Sequence, residues 1–270
     1  MRKDEELAPE IRKEVEDSLP ELNRLRRQVS ERRGAVTFPF LSGDHVGMAW
    51  ICLSDATHLI EDSIIALRES NLDWRWALGY YEENTLLMAV GEARYSFDYA
   101  ANLMVSASNH LAAAMWHFHE TEGEPLDRYD AMSAVVRKWT NRSDAPESLS
   151  ILNHLAASKS WNTMLEYRHK WVHRGLPVIR GEFRHAKRAL WTDDASSASD
   201  SMFRIVRPDG MISHPGLTMA PEYEMTDLLS KGALAIHDFY EAAGKFIKLL
   251  DAKLVQDGWV IENGKMRRSF

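Results

Sequence analysis

The sequence predicts an all-α fold: a bundle of long antiparallel helices, with a small β-hairpin inserted near 183–215. Three apolar stripes carry that prediction. Val46, Trp50, Leu53, Thr57, Ile60, Ile64 and Leu67 alternate by four and three. Leu86, Val90, Ala93, Phe97, Ala100, Met104, Ala107, Leu111, Ala114 and Phe118 do the same. Met225, Leu229, Gly232, Ile236, Phe239, Ala243, Phe246 and Leu250 repeat the pattern near the C-terminus. Such spacing puts one apolar face on each helix, and helices with one apolar face pack side by side. The small side chains Ala93, Ala100, Ala107 and Ala114 would let a neighbouring helix approach closely.

The chain starts with mixed charge: residues 2–33 hold nine acidic and nine basic side chains, which suits an exposed helix supported by ion pairs. Pro20 should kink or break it. Gly34, Pro39 and Gly43 punctuate a loop, and Asp44 is placed to cap the first striped helix. Tyr129–Thr140 reads as a short helix. Pro146–Ala157 and Ser160–His173 read as two more, or as one bent helix, stopped by Gly175-Leu-Pro177. Arg188–Thr192 and Met202–Arg207 have strand-like composition around a polar run, and Pro208-Asp-Gly210 makes a turn. The expected organisation is one domain over 1–270, with an N-terminal helix and loop over 1–43 and a β-containing insertion over 178–220.

Composition narrows the function classes. With 45% hydrophobic and 27% charged residues the chain reads as globular. Cys52 is the single cysteine, which excludes an intrachain disulfide and a thiolate zinc cage. Acids stand at Asp4, Glu5 and Glu6, where a signal peptide would have its apolar core, and no apolar run approaches the roughly 20 residues of a membrane span. A cytoplasmic protein without membrane contact is the expectation. The net charge of -7 argues against broad nucleic-acid coating. Charge is nevertheless uneven: between Leu165 and Leu190 seven Lys/Arg face two acids. That stretch is either a solvated surface or a local anion site.

Within it, Arg168-His169-Lys-Trp-Val-His173 has the order Arg, polar residue, three residues, His. The bare Arg-x4-His spacing is uninformative, since Arg180 and His185 repeat it. The second copy has Gly181 in the polar position and lies beyond Pro177. The first copy sits at a helix end, preceded by Tyr167 and followed by Gly175. On these residues the chain resembles the HEPN superfamily, helical-bundle proteins of which many are metal-independent ribonucleases in toxin, antiviral and RNA-processing systems. Their motif is Arg, then Asn, Asp or His, then three residues, then His. The resemblance covers the motif and its helical setting; the first 40 residues and the 178–220 insertion align to nothing.

What the resemblance implies is RNA cleavage without a metal or other cofactor. The ribose 2′-OH attacks the adjacent phosphorus and leaves a 2′,3′-cyclic phosphate. Such a reaction needs a base, an acid and positive charge on the phosphorane oxygens. Histidine can fill either proton role near neutral pH, and arginine grips two phosphate oxygens with its planar fork. The implied catalytic set is Arg168 as phosphate clamp, His173 as base or acid, and His169 in positioning or proton sharing. Lys170, Arg174, Arg180, Arg184, Lys187 and Arg188 would form a backbone-phosphate track, or else a solvated surface. Five residues separate Arg168 from His173, about 140° of helix rotation. The resemblance implies a homodimer with a composite site, RNA as substrate, and an antitoxin or other protein regulator.

Two other readings stand beside this one. A HEPN-like bundle could bind nucleotide, RNA or a protein partner without cleaving. A di-metal carboxylate bundle is a third class: Glu-x-x-His occurs at Glu166/His169 and Glu182/His185, with Glu61 and Glu92 on the striped helices. Arg168 and Arg184 inside those pairs are poor neighbours for a metal. His117 and His119, two residues apart, point to different sides of a helix and read as core or cap histidines. Trp50, Trp74, Trp76, Trp139, Trp161 and Trp171 read as core filling.

Overall fold

The computed structural model describes residues 24, 27–29, 45–79, 83–119, 132–174, 178–182, 202–205, 222–256, 258–262 and 265–268. Helices dominate, and the fold is an all-α bundle. Helix α1 runs His45–Gly79 and α2 runs Glu83–His119. Short helices α3 (Met132–Thr140) and α4 (Ser148–Ala157) lead into α5 (Lys159–Arg174), and α6 covers Met225–Gln256.

The predicted stripes are the core. Trp50, Leu53, Thr57, Ile60, Ile64 and Leu67 are all buried on α1, as are Val90, Ala93, Phe97, Ala100, Met104, Ala107, Leu111 and Ala114 on α2. The third stripe is buried from Met225 to Leu250 on α6. Helices α1 and α2 form a hairpin with the most extensive helix contact of the molecule. The small residues of α2 permit it: the Ser70 hydroxyl donates to the Ala93 carbonyl across the interface at 2.6 Å. Helix α6 packs tightly on this pair at Gly232. A Cβ built on Gly232 would lie 3.0 Å from Leu67 Cδ1 and 3.6 Å from Met104 Cε.

Local chemistry sets the breaks between helices. The Met132 N–H donates to Asn109 Oδ1 at 3.0 Å, so a side chain of α2 caps the start of α3. Ser158 is extended (φ -61°, ψ 130°) and ends α4. Its hydroxyl accepts the Trp161 N–H at 3.1 Å and donates to Asp238 on α6. Ser158 is thus the N-cap of α5 and pins that end to α6. The sequence left open one bent helix or two; there are two. Helix α5 ends at Arg174, next to the predicted stop at Gly175. The expected cap Asp44 and the turn Pro208-Asp-Gly210 lie outside the described residues.

Strands β1 (Val178–Glu182), β2 (Met202–Ile205) and β3 (Glu222–Glu224) form a sheet of order β2-β1-β3. Strand β1 pairs antiparallel with β2 and parallel with β3. The predicted hairpin of Arg188–Thr192 with Met202–Arg207 is not seen. Met202–Ile205 pairs instead with Val178–Glu182, which the sequence reading had passed over, and Arg188–Thr192 lies outside the described residues. Val178 and Ile179 are β-branched, and such side chains favour strand. After α6, Gly258 takes φ 79°, and its N–H donates to the Val255 carbonyl at 3.0 Å. This left-handed residue ends the helix and turns the chain into the hairpin of β4 (Trp259–Glu262) and β5 (Lys265–Arg268).

Candidate functional site: a polar ridge between α2 and α5

The motif lies on the C-terminal half of α5, which packs against α2 and α6. Tyr167 is the anchor. It is fully buried, its ring meets Phe97 edge-on at 5.0 Å and Tyr223 at 5.4 Å, and its hydroxyl donates to Asp98 Oδ1 at 2.5 Å. Arg168, half-buried, turns to the same helix: its Nε donates to Asn102 Oδ1 at 3.3 Å. The Asn102 amide nitrogen donates to the Asp98 carbonyl at 2.8 Å. Only the NH2 end can make that bond, so the oxygen must face Arg168. Arg94 completes the set, its Nε 3.8 Å from Asp98 Oδ2.

Arg94, Asp98 and Asn102 are four apart and form one ridge of α2 facing α5. Burial dominates the electrostatics there. It pushes the Asp98 carboxyl above its usual value of 3.8, against the lowering effects of the Tyr167 hydroxyl and the Arg94 charge. Burial and the adjacent Asp98 carboxylate also hold the Tyr167 phenol well above 10. The cluster thus ties α5 to α2 through a buried carboxyl and the phenol that donates to it. What it offers chemically is one oriented, half-buried guanidinium, Arg168, beside the contact of α5 with α2.

The motif residues are not all brought together. Arg168 faces α2, whereas His169 is exposed, one residue and about 100° further round α5. His173, Lys170 and Arg174 lie on α5, and the placement of their side chains is outside the described set. Arg180 lies on β1, opposite Arg204 of β2 and Glu224 of β3 in register. Arg184, Lys187 and Arg188 lie outside the described residues. The sequence reading missed Arg94, Asp98 and Asn102. Their signal was the four-residue spacing of polar side chains along the flank of an apolar stripe.

Other candidates have structural roles. His117 is buried, its ring 5.9 Å from that of His45; burial, then the His45 charge, lowers its pKa below 6.5. The His119 Nε2 bonds the Ser148 hydroxyl at 2.7 Å, and its ring meets Trp139 edge-on. These histidines join the end of α2 to its neighbours. Trp50, Trp74, Trp139 and Trp161 are buried core, while the side chains of Trp76 and Trp171 lie outside the described set. Of the carboxylate-bundle residues, Glu166, His169 and Glu92 are exposed and Glu61 is half-buried. His185 and the Glu182 side chain lie outside the described set. Among the described residues no group of three or more His, Cys, Asp or Glu is disposed to hold a metal ion. Nor is any described helix long and apolar enough to cross a membrane. No family model, curated protein or solved structure matches the chain.

Proposed function

We propose that the chain is a metal-independent, HEPN-type endoribonuclease, acting as a homodimer and serving as a toxin or phage-defence effector under a protein regulator. The observation that carries this reading is the Asn102–Arg168 contact: the motif arginine is held in one orientation near the end of α5, with His173 five residues on. In this reading Arg168 binds the non-bridging phosphate oxygens. His173 takes the 2′-OH proton or protonates the leaving 5′-oxygen, and its place at a helix C-terminus favours the protonated form. His169, exposed beside Arg168, positions the strand or shares proton transfer. Because Arg168 and His173 are separated by about 140° round α5, the second copy supplies the missing partner.

The same contact favours one other reading. Arg168 already spends a donor inside the bundle, as it would in a protein that binds RNA, nucleotide or a partner without cutting. Purified protein incubated with RNA in EDTA separates the two, beside Arg168→Ala and His173→Ala. The ribonuclease reading expects cleavage by wild type and a loss of at least a hundredfold in each variant. Binding without cleavage leaves the second reading.

A further inference from the structure

Arg94 pairs with Asp98 but leaves donors of its guanidinium unmatched among the described residues. Its side chain is only 12% exposed, yet Nε and Nη2 are both buried without a hydrogen-bond partner among the described residues. The Asp98 carboxylate lies 3.8 Å from Nε, beyond hydrogen-bonding distance, and its other oxygen is taken by Tyr167. A buried cation with unmatched donors is costly, and native proteins keep such groups where a ligand, ion or water completes them.

Donors of this kind are completed by an acceptor, either water or an anion. A planar guanidinium fork with open donors selects an oxyanion that can offer two oxygens. The charges along the ridge agree: Arg94 and Arg168 stand against the single carboxylate Asp98. Glu92 is two residues from Arg94, about 200° round α2, on the opposite side of the helix. Arg94 and Asn102, the residue that holds Arg168, are eight residues apart, a rise of about 12 Å. That separation suits two non-adjacent phosphates of one chain better than one small anion. The side chain of Arg94 keeps 12% exposure, and a rotation of its long stem would bring the guanidinium to a strand lying along α2.

We propose that Arg94 and Arg168 line one phosphate-binding groove between α2 and α5, and that it takes the backbone of single-stranded RNA. The identity of the ligand rests on the ribonuclease reading; the anion groove itself does not.

The test uses the full chain with His173→Ala, so that cleavage plays no part. A fluorescein-labelled single-stranded 20-mer RNA is titrated in EDTA over a range of KCl, with and without Arg94→Met, which keeps an apolar stem of similar length. The expected result is an affinity about tenfold weaker and a log–log salt slope reduced by about 0.7, the release from one phosphate contact on a single strand. Some fall in melting temperature accompanies the loss of the Arg94 charge beside Asp98, so affinity and salt slope are the deciding readouts. Arg94→Lys, which keeps the charge but not the fork, should fall between the two and serves if the methionine variant does not fold. Unchanged affinity and slope would overturn the proposal, as would an absence of RNA binding in the parent. A fall in melting temperature with RNA binding intact would make Arg94 the structural counterion of Asp98 and also overturn it. Inorganic phosphate competing as well as RNA, per phosphate, would overturn the assignment of the ligand as RNA. If wild type never cuts RNA but Arg94→Met still loses RNA affinity, the groove stands and the cleavage reading fails.

Discussion

Asn102 on α2 holds Arg168 on α5 through a 3.3 Å bond from Nε to Oδ1, and the Asp98 carbonyl fixes which way the Asn102 amide faces. The orientation of the motif arginine is thus set by a side chain 66 residues earlier in the chain. Replacing Asn102 by Ala should cost about 1 kcal/mol of stability, the net worth of an ordinary hydrogen bond. It should also lower RNA cleavage about tenfold, because Arg168 is no longer held. Asn102→Asp, which keeps an acceptor, should retain most of the activity. Urea unfolding and cleavage rates measured side by side check this; an Ala variant equal to wild type in both would remove Asn102 from the site.

The Asp98–Tyr167 pair makes a pH prediction. The folded carboxyl titrates above its usual 3.8, chiefly because it is buried. The fold therefore favours its protonated form. The resulting stability is fully present below pH 3.8 and is lost as pH rises through the folded value. Tyr167→Phe removes the hydrogen bond that opposes this shift, so the Asp98 pKa should climb further. The variant should be about 1–3 kcal/mol less stable, because the buried Asp98 carboxyl loses its hydrogen-bond donor. Carbon-13 titration of the Asp98 carboxyl reads both shifts, and a value at or below 3.8 in wild type contradicts the account.

Gly232 sets how closely α6 lies on the α1–α2 hairpin. Valine there would drive its methyls into Leu67 and Met104, whose side chains already lie 3.0 and 3.6 Å from an added Cβ. The expected cost is about 2 kcal/mol, typical of overpacking, and thermal unfolding measures it. A variant as stable as wild type would mean that the helices sit further apart than described.

Ser158 fixes the other end of the motif helix. Its hydroxyl caps the Trp161 amide and donates to Asp238, so Ser158→Ala should cost about 1–2 kcal/mol in chemical denaturation. Ser158→Asp would keep the cap but bring a carboxylate against Asp238, and should be worse than Ala near neutral pH. The reverse order would show that the cap alone matters.

How much of this was legible in the sequence follows from the range of the interactions. The three stripes are local patterns with one apolar position per turn, and each became a buried helix face, down to Gly232 in the third. The core role of Trp50, Trp139 and Trp161 was legible for the same reason. The C-terminal hairpin was missed although Asn263-Gly264, a strong turn signal, stands between Trp259–Glu262 and Lys265–Arg268. Strand β1 was missed because its partner β2 begins 20 residues beyond its end, and pairing at that range leaves no local mark. The site divides in the same way. Arg168 stood out by its motif, but the contacts of Tyr167 with Asp98 and of Arg168 with Asn102 cross 69 and 66 residues. One sequence carries no signal for pairs so far apart.

The chemistry of the ends of cut RNA tests the central claim most directly. Purified wild-type protein, given a labelled single-stranded RNA in EDTA, should leave a 2′,3′-cyclic phosphate on the upstream fragment and a 5′-hydroxyl on the downstream one. The DNA oligonucleotide of the same sequence, which lacks the 2′-OH nucleophile, should stay intact. Fragments ending in 3′-hydroxyl and 5′-phosphate, cleavage of the DNA, or no cleavage at all would contradict the assignment of Arg168 and His173 as a metal-independent ribonuclease site.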